Sequence, residues 1–302
     1  MKKVLSILGG IICGLICVLL FGIQIGFITF TSVKTLITKE SIKEIVEEVD
    51  LKQIVSSDPE TASDLYGLFD SIGFSTEEAD KILDSEAFKG FLDEYLYKNI
   101  DNIVNDKDVV TDYDSIVKLI DDVENETHVT LKNKELYLKV LKEEYPKIEE
   151  SINVSNYVKK ELNEETLEVI RAFLGNTITI VFVVIFIIIY LVMCLFRWSI
   201  YKPLIWYGIT TVLSSFIAMQ AFLGINSIKN LITEEAKGFE FIISPVLNVI
   251  KGKGIIISAV MLVVGIIMIV AFILINKQVK EDEKNENFEQ LENDLPSEQQ
   301  TL

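Results

Sequence analysis

Hydrophobic positions fall into two regimes along this chain. Over residues 4–30, 175–196, 204–225 and 254–275 they are almost continuous, and no Asp, Glu, Lys, Arg or His stands between Leu5 and Val33. A hydrocarbon layer about 30 Å thick is crossed by roughly 20 apolar residues of helix, so each run predicts a transmembrane helix. Between the first and second runs the apolar positions instead recur every three to four residues, the period of helices with one buried face. The fold class expected is all-α: a four-transmembrane-helix membrane protein with a large extracytoplasmic helical bundle between spans one and two. Span one is expected over 1–31, the helical domain over 32–173, span two over 174–196 and a short link over 197–203. Span three follows over 204–225, then an outer loop over 226–253 with an interfacial helix opened by Ser244 and Pro245 and ending near Gly252. Span four covers 254–275, and the acidic tail over 276–302 is expected to be disordered.

Capping residues divide the domain into helices. Ser41 with Glu44 forms a capping-box pair near Ile45, Val46 and Val49, or else this helix continues unbroken from span one. Asp58 and Pro59 read as an N-cap and a first helical position. Ser75 with Glu78 is a further capping box, ahead of Ile82 and Leu83. Phe88, Phe91, Leu92, Tyr95, Ile100 and Val104 mark one helix of about 20 residues. Thr111 with Asp114 opens another, and Thr130 opens one that ends near Pro146. A last helix from about Ser155 leads into span two. The patterns at 42–54 and 157–173 adjoin spans one and two closely, which predicts a stiff stalk bending at Gly175 and Asn176.

Charge sets the orientation. Lys2 and Lys3, Arg197 and Lys202, and Lys277 and Lys280 all fall on one side of the four runs, the cytoplasmic side by the positive-inside rule. Both termini are then cytoplasmic, 32–173 is extracytoplasmic, and the location is the cell membrane. Trp198, Tyr201, Trp206 and Tyr207 in the link FRWSIYKP are expected at the membrane interface. The first run exceeds the apolar region of a signal peptide and has no A-x-A-like site, so an uncleaved anchor is expected. The whole formal charge of −17 resides in 32–171, which holds 34 acidic and 17 basic side chains. That excess argues for a solvated domain and against nucleic acid. Cys13, Cys17 and Cys194 all lie in spans, so the domain has to fold without a disulfide. Of the 28 basic residues only Arg171 and Arg197 are arginine, the coding bias of an AT-rich bacterial genome.

Candidate chemistry is sparse. With His128 as the sole histidine, neither a His-based metal site nor a Ser–His or Cys–His pair can be assembled. Asp101, Asp106, Asp108, Asp112 and Asp114 offer hard oxygen ligands, without the glycine and final Glu of an EF-hand loop. Glycine motifs that cradle phosphates are missing. No catalytic, cofactor-binding or metal residue is assigned, and no cofactor or enzymatic activity is expected. The residues singled out instead serve helix packing. Gly10 and Gly14, and again Gly22 and Gly26, are spaced to let another helix approach, within the molecule or in a second copy through span one. Gln24, Ser214, Ser215 and Gln220, with Thr210 and Thr211 beside them, are polar groups suited to bonds between helices. Spans empty of charge argue against a coupled ion transporter.

In topology the chain resembles the four-span permease subunits of ABC systems in cell division and lipoprotein export. The likeness lies in the inner N-terminus, the large domain after span one and the short link FRWSIYKP. That resemblance implies a partner ATPase acting on cytoplasmic helices. Only a few residues precede span one, and the link is short for a docking surface. The function expected is a non-enzymatic cell-envelope protein in contact with the bilayer, binding a protein or wall partner through its extracytoplasmic domain. The alternatives are a permease-like or accessory transport subunit, and a sensor relaying ligand binding through spans one and two.

Overall fold

The computed structural model describes residues 2–53, 63, 66, 67, 69–105, 112–197, 199–227 and 240–293. Its first elements are α1 (Lys2–Lys34), a 3-10 turn (Thr35–Ile37), α2 (Lys39–Glu48), α3 (Thr76–Asp84) and α4 (Glu86–Asn105). Then come α5 (Tyr113–Thr127), α6 (Lys134–Ile152), α7 (Val154–Glu161) and α8 (Glu164–Leu174). The chain continues in α9 (Thr177–Arg197), α10 (Pro203–Leu223) and α11 (Glu240–Asn293). Among the described residues there is no strand. Among the described residues four helices are long and apolar enough to cross a membrane: Gly9–Ile37, Thr177–Arg197, Pro203–Ser227 and Ile242–Asn285. They leave large apolar side chains exposed, among them Val18 at 70%, Leu191 at 56% and Ile267 at 60%. A water-soluble fold would bury such a surface, whereas lipid solvates it. The architecture is that of a multi-pass membrane protein.

Caps explain where most helices begin. Ser75 accepts from the Glu78 backbone N–H at 3.3 Å while Glu78 Oε2 accepts from the Ser75 N–H at 2.8 Å, so both halves of the expected capping box are present. Asp112 caps α5, accepting from the Ser115 N–H at 2.6 Å, and His128 ends that helix in the left-handed region at φ 58. The α4 helix has 20 residues, the length its apolar stripe predicts. The Asp58–Pro59 cap and Thr111 lie outside the described residues.

Elsewhere the breaks differ from expectation. The chain after span one is interrupted at Thr38, whose extended backbone (ψ 151) and hydroxyl, accepting from the Ser41 N–H, start α2 afresh. Ser41 is therefore buried inside α2 and is not its cap. The helix after Asn133 starts at Lys134 and passes through Pro146 to Ile152, where an end near the proline was expected. The last helix before span two is split at Leu162, because Asn163 accepts from the Thr166 N–H at 2.8 Å and opens α8. Gly175 breaks the chain again, and its own N–H closes onto the Arg171 carbonyl at 2.7 Å. A Cβ there would sit 2.5 Å from that oxygen, so only glycine fits the turn. The stalk is thus jointed at Thr38, Leu162 and Gly175. Toward the C-terminus, α11 continues unbroken past Pro245, Gly252 and Glu281 to Asn293, where a short helix, a separate span and the start of the tail were expected, and 294–302 lie outside the described residues.

The chain divides into two compact units. One comprises Phe30–Ile180 and Phe222–Gly254, and α4 is its hub, packed against α2, α3, α5, α7 and α8. Ile82 of α3, Val123 of α5 and Val129 form a core with Phe69, Phe74, Phe88 and Leu119 around them. Ile42 and Val46 of α2, Leu83 of α3 and Leu167 of α8 are buried as well. The start of α11 is tied to α2 in this unit, with Asn248 Nδ2 donating to Glu48 Oε2 and Lys253 Nζ to Glu44 Oε1, both at 3.1 Å.

The other unit comprises Met1–Thr29, Val181–Ala221 and Ile255–Leu302. Leu20 of α1, Met193 of α9 and Tyr207 of α10 are its buried core, joined by Phe186, Ile189, Tyr190 and Met268. Tyr207 is buried among the helices and meets Tyr190 edge-on at 5.8 Å. Trp206 keeps an exposed position with the Arg197 guanidinium 5.6 Å from its ring.

Candidate functional site

Two sets of residues have the geometry of a site, one in each unit. The first is a groove of about 360 Å³ between α4 and α5. Glu86, Gly90, Glu94 and Lys98 follow one another at i, i+4 along α4, and helical geometry places them on one face. Phe91 and Tyr95 run alongside with rings 6.4 Å apart and nearly parallel. From α5 come Ser115, Lys118, Leu119 and Asp122. A Cβ at Gly90 would meet nothing within 4 Å, so its missing side chain leaves the groove open.

The two walls are fixed to each other. Glu126 near the end of α5 accepts from the backbone N–H groups of Glu86 (2.8 Å) and Ala87 (2.9 Å), so a carboxylate from one helix caps the next. Glu94 and Lys98 pair at 2.8 Å, and that bond holds the Glu94 carboxyl below the usual carboxylate range. Burial pushes the Tyr95 phenol up. A groove with an aromatic floor and charges of both signs on its rim matches a protein segment carrying apolar and polar side chains.

The second set lies among the spans. Gln24 Nε2 donates to Thr211 Oγ1 at 2.7 Å, and Ser214 Oγ donates to Gln24 Oε1 at 2.9 Å. Thr211 Oγ1 passes its own hydrogen to the Tyr207 carbonyl at 2.8 Å. Gln24, Thr211 and Ser214 are each 1% exposed or less, so this short chain of bonds joins α1 to α10 away from any solvent. Ser215 is equally buried, and its Oγ has no hydrogen-bond partner among the described residues. Gln220 is exposed on α10.

The glycine pairs behave differently from the polar residues. Among the described residues a Cβ at Gly10, Gly14, Gly22 or Gly26 would meet nothing within 4 Å, although one at Gly9, beside the first pair, would lie 3.3 Å from the Phe196 carbonyl of α9. A tighter approach occurs where α10 crosses α11. A Cβ on Gly208 would lie 2.8 Å from the Gly265 carbonyl, and one on Gly265 would lie 2.9 Å from the Gly208 carbonyl. Neither glycine belongs to a four-residue glycine spacing, so only the pairing of helices reveals them. Thr211 stood out in sequence as a polar residue of its span, yet nothing local marked it as the partner of Gln24.

Among the described residues no group of three His, Cys, Asp or Glu side chains converges as a metal site would require. Asp112 is committed to its cap, Asp101 accepts from Asn105, and Asp106 and Asp108 lie outside the described residues. No family model, curated protein or solved structure matches this chain.

Proposed function

We propose that this chain is a non-enzymatic membrane protein of the cell envelope that captures a protein partner in the α4–α5 groove of its inter-span helical domain. In this reading both termini are cytoplasmic and the domain faces the outside. The observation that carries it is the groove itself, where Phe91, Tyr95 and Leu119 supply apolar contact and Glu86, Glu94, Lys98, Lys118 and Asp122 supply a polar rim. Aromatic anchors inside a charged border are the usual anatomy of a protein interface. The positive-inside bias of Lys2, Lys3, Arg197, Lys202, Lys277 and Lys280 supports the orientation.

The test is photo-crosslinking in cells with a benzophenone side chain placed at Ser115. One discrete adduct that disappears with Phe91→Ala and persists with Lys147→Ala supports the reading. Absence of any adduct, or one indifferent to Phe91, contradicts it.

A sensor is the second reading, and a specific observation favours it. The first turns of α11 are bonded to α2, and α11 is a single helix from there to Asn293. A shift of α2 is thereby coupled to an element that contains span four.

A further inference from the structure

Lys34 is the first charged residue after Lys3, and it sits near the end of the first candidate span, Gly9–Ile37. Its Nζ donates to Asn176 Oδ1 at 2.9 Å and to Thr179 Oγ1 at 3.3 Å, at the start of α9. Both acceptors are neutral, and among the described residues Lys34 makes no ion pair. The charge this membrane helix spends here is thus held directly by neutral acceptors alone.

Beside Lys34 a cavity of about 520 Å³ opens between the end of α1, the start of α2, the last turns of α4 and the first turn of α9. One wall is hydroxylic, with Thr31, Thr35, Thr38 and Thr179, and the Thr31 hydroxyl is buried without a hydrogen-bond partner. Another is apolar, built from Ile37, Tyr97, Ile100 and Val104. The charged lining is Lys34 and Lys39 against Glu40 and Asp101, two of each sign. Spans one and two are consecutive, so the end of the first and the start of the second lie on the same membrane face whichever way the protein is inserted. The cavity therefore opens at head-group level.

We propose that this cavity binds the head group of a zwitterionic, amine-bearing phospholipid, the phosphate on Lys34 and the Thr31 and Thr179 hydroxyls and the amine toward Asp101. The charge balance favours that class. A head group with phosphate and ammonium leaves the lining neutral, whereas an anionic one adds a negative charge beside two carboxylates. The apolar wall takes the beginning of an acyl chain, which a soluble phosphate ester does not supply.

Native mass spectrometry of the full-length protein in mild detergent tests this, with phosphatidylethanolamine, phosphatidylglycerol and phosphatidylcholine at equal concentration. Phosphatidylethanolamine is expected to be retained best, and Lys34→Gln to reduce its retention about tenfold. Lys34→Arg should preserve it and Lys147→Gln should leave it unchanged. Asp101→Asn should erase the preference for the primary amine over the choline head group. Should Lys34→Gln prove unfolded by circular dichroism, Thr179→Val keeps the charge, removes one of its two bonds and should weaken retention. Equal retention by Lys34→Gln and Thr179→Val proteins, or a preference for phosphatidylglycerol, overturns the proposal. Competition by glycerophosphoethanolamine as effective as by the intact lipid points to a soluble phosphate ester and overturns it too.

Discussion

The two units are built from the same element and are solvated in opposite senses. Around α4 the buried apolar side chains include Ile42, Val46, Ile82, Leu83 and Leu167, beside the polar Asp93 and Asn102 of α4 itself, and charges such as Lys43, Glu47 and Lys147 point outward. In the unit holding most of the spans, Gln24, Thr211, Ser214 and Ser215 are buried while Leu15, Val18, Ile188 and Ile267 are exposed. In water, the transfer of apolar area from solvent drives packing. In lipid that force is missing between helices, so close fit and interhelical bonds have to hold them together. Inverting a helix's burial pattern therefore changes which kind of mutation it tolerates.

The largest contrast is expected for truncated leucines. Leu83→Ala, at a site 3% exposed, should cost about 2–5 kcal/mol, read as a large drop in Tm of the protein in detergent. Leu191→Ala, at a site 56% exposed on a span, should leave Tm nearly unchanged. Equal losses at both would show that α9 packs against protein along that face, and the comparison would fail.

Next in size is the glycine crossing. Gly208→Ala forces a Cβ against the Gly265 carbonyl and Ile269, and should destabilise by about 1–3 kcal/mol. Gly10→Ala and Gly14→Ala, which meet open space, should be silent in a monomer. A loss at Gly10 or Gly14 confined to dimeric protein would locate self-association in span one.

Gln24→Leu should cost less, about 1 kcal/mol. Thr211 and Ser214 keep carbonyl acceptors on their own helix, Tyr207 and Thr211 respectively, so neither hydroxyl is stranded. A cost several times greater would mean that the network orders more than these two helices.

The smallest effect concerns acid. The Ser75 bonds hold the Glu78 carboxyl below the usual carboxylate range, and Ser115 does the same for Asp112. A depressed folded-state pKa contributes stability that is complete above the unfolded value and is lost as pH falls through the folded one. Tm should thus decline gently as pH drops below the ordinary carboxylate range, and Glu78→Gln should flatten the part due to Glu78. An unaltered profile in that variant would assign the acid sensitivity elsewhere.

How much of this was legible in sequence depended on how local the cause was. Four apolar runs and the Ser75–Glu78 box are signals contained within a few residues, and they appear in the structure as helices and as a cap. The α4 stripe is equally local. Pro146 misled, because a proline forfeits one backbone bond and the helix around it persists through Ile152 all the same. Asn163 followed by Glu164 and Glu165 was a readable cap with acidic residues in the first turn, overlooked because the apolar period continued across it. The Gly208–Gly265 crossing, the Gln24–Thr211 bond and the α4–α5 groove depend on which helices become neighbours. Periodicity along one helix does not encode that choice.

The proposed role stands on which solvent each unit meets, and cysteine accessibility in intact cells reports this most directly. A cysteine at Lys118, exposed on the groove rim, should react with an impermeant maleimide before permeabilisation, and one at Lys280, exposed beyond the apolar run 254–275, only afterwards. Labelling at Lys280 with none at Lys118 would place the groove in the cytoplasm and contradict capture of a partner outside the cell.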